Sequence, residues 1–290
     1  MINFRYHLVS VAAILIALAA GIALGSGPLE ETSDSIRGTS SQTVDPAVGS
    51  FEQGFADRTA GDLLTDKLKG QTIVVLTTPG AVPAEVAGVT TDLEAAGAEV
   101  TGEVELTSKV LDSASRQFAE GVAQQSAGDV PTVAEATDSY GRIGAALARA
   151  FMADEAAAVD PAATTIRSAF TEGDLVTLKR KPEKLATLAV VVSGPSRADQ
   201  ADQGTVVAAL AGAMNGTGKG VVVTGPASSS TEGGAVKALR DSEFATSVSS
   251  VDVTDSATGR IVAALAAAAQ VGGQPGAWGT SRSAGGALPE

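Results

Sequence analysis

VVLTTPGA at 74–81, VVVSGPSR at 190–197 and VVVTGPAS at 221–228 repeat one pattern three times. Each opens with a run of branched apolar residues, as expected of a strand buried on both faces. Each closes on a hydroxyl residue next to Pro or Gly, which turns the chain out of the strand. Strands buried on both faces belong to parallel sheets covered by helices, and helix-like segments separate these runs. Working outward, TIVVL at 72–76 precedes a helix over Pro83–Ala96 and then EVTGEVEL at 99–106, which alternates like an edge strand. Further strands are expected at Ala186–Val192, Gly220–Thr224 and Val248–Val253, with helices at Ala201–Met214, Thr231–Arg240 and Ser256–Val271. The middle, Leu111–Phe170, reads as helical: Tyr140, Ile143, Leu147 and Phe151 share one face, and Asp160-Pro161 supplies an N-cap and first turn. The expected fold class is α/β, a doubly wound, mainly parallel sheet of about five strands with a helical middle insertion.

Composition suits that fold. Hydrophobic residues make up 44% of the 290 positions but aromatics only 3%, so Ala, Val and Leu must build the core. Small side chains permit close helix-to-sheet packing. A formal charge of −13 argues against nucleic acid as a partner, because that binding rests on cations neutralising phosphates. The absence of cysteine removes disulfides, thiolate metal sites and cysteine nucleophiles.

At the N-terminus, Leu8–Leu24 passes without a charge. As a helix it spans roughly 26 Å, near the ~30 Å of a bilayer core. Phe4 and Tyr6 suit the headgroup level, and Arg5 before the segment favours an inside N-terminus with the bulk of the chain outside. The rival is a cleaved signal peptide, with small residues at Ala23 and Gly25; the apolar run exceeds the usual ~7–15 residues. Ala13, Ala17, Gly21 and Gly25 align on one helix face, a small-residue surface that hints at a homo-oligomer. The domain boundaries read as 1–25 anchor in the cytoplasmic membrane, 26–50 flexible linker rich in Ser, Thr, Gly and Pro, 51–272 extracytoplasmic α/β domain, and 273–290 flexible tail. A short helix is expected after the linker, interrupted near Ala60-Gly61.

Chemistry is scarce. In open α/β sheets, ligands bind at the carboxyl ends of strands, so Thr77, Thr78, Ser193, Gly194, Thr224 and Gly225 would rim a small-ligand crevice. The alternative is that these loops only turn the chain. GAMNGTGKG at 212–220 resembles a phosphate loop but has Ala213 and Gly220 where Gly and Ser or Thr are needed, so it reads as a turn with Lys219 solvated. The sole histidine, His7, lies on the inner side of the proposed anchor, which rules out a hydrolytic triad outside. Asp255 reads as a helix N-cap, and Lys179, Arg180, Lys181 and Lys184 as a solvated basic loop, the alternative being a contact for an anionic envelope polymer. No catalytic residue, metal site or cofactor is expected, and the chain is not read as an enzyme.

FRYHLVSVAAILIALAAGIALGSGPL at 4–29, LKGQTIVVLTTPGA at 68–81 and VDVTDSATGRIVAALAAAAQVGGQPGAWG at 251–279 resemble the actinobacterial family of mycobacterial copper transport protein B, MctB. The resemblance implies a single-pass protein with an extracytoplasmic α/β domain and a role in copper transport or homeostasis. Its SteB-like branch implies instead control of cell separation with a SteA-like membrane protein that bears on peptidoglycan hydrolysis. Copper itself enters only through this resemblance: Cu(I) favours Cys and Met, and beyond Met1 the chain has only Met152 and Met214.

Overall fold

In the computed structural model, residues 46–197 and 200–289 are described. The expected anchor, most of the linker, His7 and the Ala13, Ala17, Gly21, Gly25 face lie outside the described residues. Helix α1 (Pro46–Leu64) begins inside the expected linker and runs unbroken through Ala60-Gly61. A helical glycine costs about 1 kcal/mol, an amount that burial of Ala56 and Leu64 against the core offsets.

The chain then alternates. Strand β1 (Thr72–Thr77) leads to α2 (Pro83–Ala95) and β2 (Glu99–Leu106). Helices α3 (Ser108–Leu111), α4 (Arg116–Ala127), α5 (Pro131–Glu135) and α6 (Ser139–Phe151) follow. Next come the two-residue β3 (Ala157–Ala158), α7 (Pro161–Glu172), β4 (Val176–Arg180) and β5 (Lys184–Leu185). The last part holds β6 (Leu188–Val192), α8 (Ala201–Met214), β7 (Val221–Thr224) and α9 (Ala235–Arg240). It ends with β8 (Ser249–Val251), α10 (Ala257–Val271) and β9 (Ala277–Trp278).

Seven strands form the main sheet in the order β4-β2-β1-β6-β7-β8-β9, while β3 and β5 pair separately. Every neighbouring pair of the main sheet is parallel except β2 with β4. The two strands beyond the expected five are β4 and β9, and both correct an expectation. EVTGEVEL is not the edge: β4 pairs with it antiparallel, so part of the expected basic loop is a strand. Residues after Gly273 do not fray wholesale, because Ala277 and Trp278 pair with Ser250 and Val251.

The pleat divides the core. Along β1, Val74 and Leu76 face a cluster that includes Ile143, Leu147 and Phe151, and Ile73 and Val75 face one that includes Leu93 and Ala264. The middle helices are therefore the cover of one sheet face rather than a separate insertion. Ile143, Leu147 and Phe151 are fully buried as their spacing predicts, with Tyr140 packed at the margin. Asp160 caps α7 through the Ala163 N–H at 2.8 Å. Met152 and Met214 fill core positions at 1% exposure each. With helices on both faces and β4 and β9 as its end strands, the sheet of the described residues is open rather than closed into a barrel.

Candidate functional site

The strand order reverses between β1 and β6, since the chain winds from β1 toward β2 and from β6 toward β7. In open α/β sheets such a reversal opens a crevice at the strand ends. Here the loops close it with their own atoms. Thr78 Oγ1 accepts the Gly194 N–H at 3.1 Å, and the Thr78 N–H donates to the Val192 carbonyl at 3.2 Å. A Cβ on Gly194 would lie 2.6 Å from the Gly80 carbonyl carbon, so only glycine permits this approach. One strand further, the Ser193 N–H donates to the Thr224 carbonyl at 2.7 Å and the Gly225 N–H to the Val251 carbonyl at 3.0 Å. A Cβ on Gly225 would meet Ser193 Oγ at 2.3 Å and Ser229 Oγ at 2.7 Å.

The sequence-predicted residues thus fall into two groups, Thr78 with Gly194 and Ser193 with Thr224 and Gly225. Thr77, at the end of β1, is buried beside them. The space between the loops amounts to about 30 Å³, lined by Thr78, Ser193, Gly194 and Gly204 among others. A water needs ~10–15 Å³ and small-ligand pockets run to ~300–1,000 Å³, so this space lies near the size of a water. The buried hydroxyls of Ser193, Thr224 and Ser229 have no hydrogen-bond partner among the described residues.

The most connected polar cluster at the strand ends was not legible in the sequence. Asp252, just past β8, is fully buried and forms an ion pair with Arg240 at the end of α9. Arg240 also donates to Ser250 Oγ at 2.9 Å, Ser281 Oγ at 2.7 Å and the Trp278 carbonyl at 2.9 Å. Asp252 accepts the Thr280 N–H at 2.7 Å. Burial pushes the Asp252 carboxyl up, but the Ser281 hydroxyl, the Thr280 N–H and Arg240 outweigh it and hold it below its ordinary value. This cluster fastens the C-terminal segment across the end of β8.

Neighbouring groups are likewise engaged. Asp255 is not the helix cap: its carboxylate accepts the Ala227 N–H at 3.3 Å, while Ser256 Oγ caps α10 through the Gly259 N–H at 3.0 Å. Glu85 accepts the Thr254 hydroxyl at 2.9 Å, and burial raises its carboxyl. Beside Arg260, between α1, α2 and α10, burial pushes Asp92 up to about 6, with Asp57 adding to the shift. In the basic cluster, Lys179 pairs with Glu105 and Lys184 with Glu99, each at 2.8 Å. Gly218 and Gly220 take positive φ of 67° and 99° in a helix-to-strand turn that leaves Lys219 exposed. Among the described residues, no three His, Cys, Asp or Glu side chains gather as a metal site.

Comparison with known proteins supplies what the site does not. A family described as "Copper transport outer membrane protein, MctB" matches residues 1–289. The chain belongs to the MctB family. The Copper transporter MctB of Mycobacterium tuberculosis is 28% identical over 312 aligned positions, covering 98% of each chain. The Mycobacterium leprae protein of the same name is 30% identical over 294 positions, covering 91% of this chain and 92% of its own. The MctB match takes in both the apolar N-terminal stretch and the segment around β9, so the whole described fold lies within the family's common length.

Proposed function

We propose that the chain is a membrane-anchored, non-enzymatic envelope protein acting in copper homeostasis, and that it works by assembly rather than by ligating copper within its α/β domain. Donor chemistry carries this reading. The sequence has no cysteine and one histidine, and the two methionines of the domain are core filler at 1% exposure. Cu(I) needs exposed soft donors, so a domain of this composition handles the metal through what it assembles with. The anchor is Leu8–Leu24, with the N-terminus inside and the domain beyond the cytoplasmic membrane.

A second copy of the chain is the proposed partner. Ala13, Ala17, Gly21 and Gly25 would bring two anchors together, and α1 follows shortly in sequence. On α1, Phe51 is 74% exposed and Phe55 55%, with rings stacked at 6.5 Å. An exposed aromatic pair of this kind suits a protein interface.

Deletion of the gene should raise copper sensitivity and cell copper content, and crosslinking in membranes should capture a dimer. Calorimetric titration of the purified chain with Cu(I) should show no tight stoichiometric site; finding one would overturn the assembly reading. Normal copper tolerance combined with cells that fail to separate would favour the SteB-like role and a SteA-like partner instead.

A further inference from the structure

Helix α1 meets the domain through a few polar bonds, two buried apolar side chains and one cavity. Glu52 accepts the Thr258 hydroxyl at 2.6 Å and the Thr258 N–H at 3.3 Å, and Gln53 Oε1 accepts an Arg260 N–H at 3.1 Å. Ala56 and Leu64 are buried. Beside these contacts lies a cavity of about 210 Å³. Gln53, Ala56 and Asp57 of α1 form one side, Gly88 and Asp92 of α2 another, and Arg260 of α10 the third. Arg260 crosses the α2 backbone at Gly88, where a Cβ would sit 2.3 Å from its Nε.

Two carboxylates thus line one small cavity, and they are unequally provided for. Asp57 accepts a Gln53 side-chain N–H at 2.7 Å. Asp92 accepts no hydrogen bond among the described residues; burial pushes its carboxyl up to about 6, Arg260 opposes the shift and Asp57 adds to it. Helix α1 supplies part of that burial, because it walls the cavity. Lifting α1 admits water to Asp92, removes Asp57 from its side and returns the carboxyl toward its ordinary 3.8.

We propose that α1 is an acid-tightened clamp, gripping the domain more firmly near pH 5 than near pH 7.5, with Asp92 as the group that takes up the proton. The seated helix binds that proton more tightly than the lifted one. The added grip is therefore complete below the ordinary value of 3.8 and is lost as pH rises through about 6. The other charged groups around the cavity leave this sign unchanged. Glu52 on α1 is held below its ordinary value, chiefly by the Thr258 hydroxyl, so its own preference for the seated helix fades only in stronger acid. Glu85 on α2 is raised by burial, but it is bonded to Thr254 and stands off the cavity wall, so lifting α1 does not wet it. Asp255 is engaged with the Ala227 N–H, and Arg260, as an arginine, is a fixed cation. Because α1 is the first described element of the chain, the clamp decides how firmly the domain is tied to what precedes it.

Hydrogen–deuterium exchange on the purified full-length chain, corrected for the intrinsic pH dependence of exchange, tests the clamp. At pH 7.5 the amides of residues 56–64 should exchange through an opening that β1 does not share. Their protection should rise several-fold on going to pH 5, with about tenfold as the ceiling if Asp92 is fully wetted when α1 lifts. Asp92→Asn should give high protection at both pH values. Equal α1 protection at the two pH values in the unsubstituted chain, or opening of α1 only together with β1, would overturn the proposal, and neither result needs a variant. A pH effect that persists in Asp92→Asn would overturn it as well. Phe51 and Phe55 lie outside the cavity lining, so Phe51→Ser with Phe55→Ser should keep the effect; its loss there would assign the effect to the dimer instead. No readout involves copper, so the result is independent of the homeostasis reading.

Discussion

Asp252 and Asp92 show how burial and hydrogen bonding compete for one kind of group. Asp252 is fully buried but collects donors from Ser281, Thr280 and Arg240, and its carboxyl ends below its ordinary value. Its stabilisation is present above the unfolded value near pH 3.8 and is lost as pH falls through the folded one. Asp252→Asn leaves Arg240 buried and unpaired, and should cost about 3–5 kcal/mol in urea unfolding at pH 7. Asp92 is the reverse case: its carboxyl titrates at about 6 when folded against 3.8 unfolded, so the folded state binds more protons between those values. Stability should fall as pH rises through that window, and the penalty is complete above it. Asp92→Asn should therefore stabilise the domain by about 1–2 kcal/mol at pH 7.5, after allowance for solvent screening, with no gain below pH ~4. Paired denaturation curves at the two pH values check this. Neither behaviour was legible in the sequence. Asp252 and Asp255 are both acids just past a strand, and only the fold gives one a guanidinium and the other a loop N–H.

Local chemistry wrote most of the elements. Runs of Val and Ile set β1, β6 and β7, and the caps at Asp160 and Ser256 start α7 and α10 where their side chains reach back to backbone N–H groups. Ser256→Ala should lower stability by about 1 kcal/mol, measured by chemical denaturation. The elements that escaped the pattern lack a strong signal of their own. VTLKR reads as a basic segment because Lys179 and Arg180 point to solvent, and it becomes a strand because β2 offers an open edge and Glu105 receives Lys179. Helix α1 meets the expectation of a helix after the linker, but it starts at Pro46 and runs unbroken to Leu64, with Phe51 and Phe55 exposed. Phe51→Ser together with Phe55→Ser should leave the unfolding free energy within about 0.5 kcal/mol, as expected for exposed positions, while abolishing the crosslinked dimer. Retention of the dimer in that variant would remove α1 from the interface.

For the whole molecule, the C-terminal segment shows how far a short element depends on its context. Ala277 and Trp278 form a two-residue strand that cannot hold itself, yet Ser281 and the Trp278 carbonyl fill the shell of the buried Arg240–Asp252 pair. Truncation after Gly272 should strip that pair of partners and lower stability by about 3 kcal/mol or more, seen as a large drop in urea midpoint. A freely mobile tail would make the same truncation neutral.

The sequence by itself determined the α/β class, the parallel β-branched strands, the helical face of Ile143, Leu147 and Phe151, and the shortage of copper donors. These are properties of composition and short-range period, which local sterics and burial express directly. The tertiary structure alone decided the strand order, the seven-stranded width, the narrowing of the strand-end crevice to about 30 Å³ and the burial of Arg167. Each depends on which distant segments meet, as Gly194 meets Gly80 and Arg240 meets Asp252. Such meetings are set by the packing of whole layers, and no window of neighbouring residues contains them.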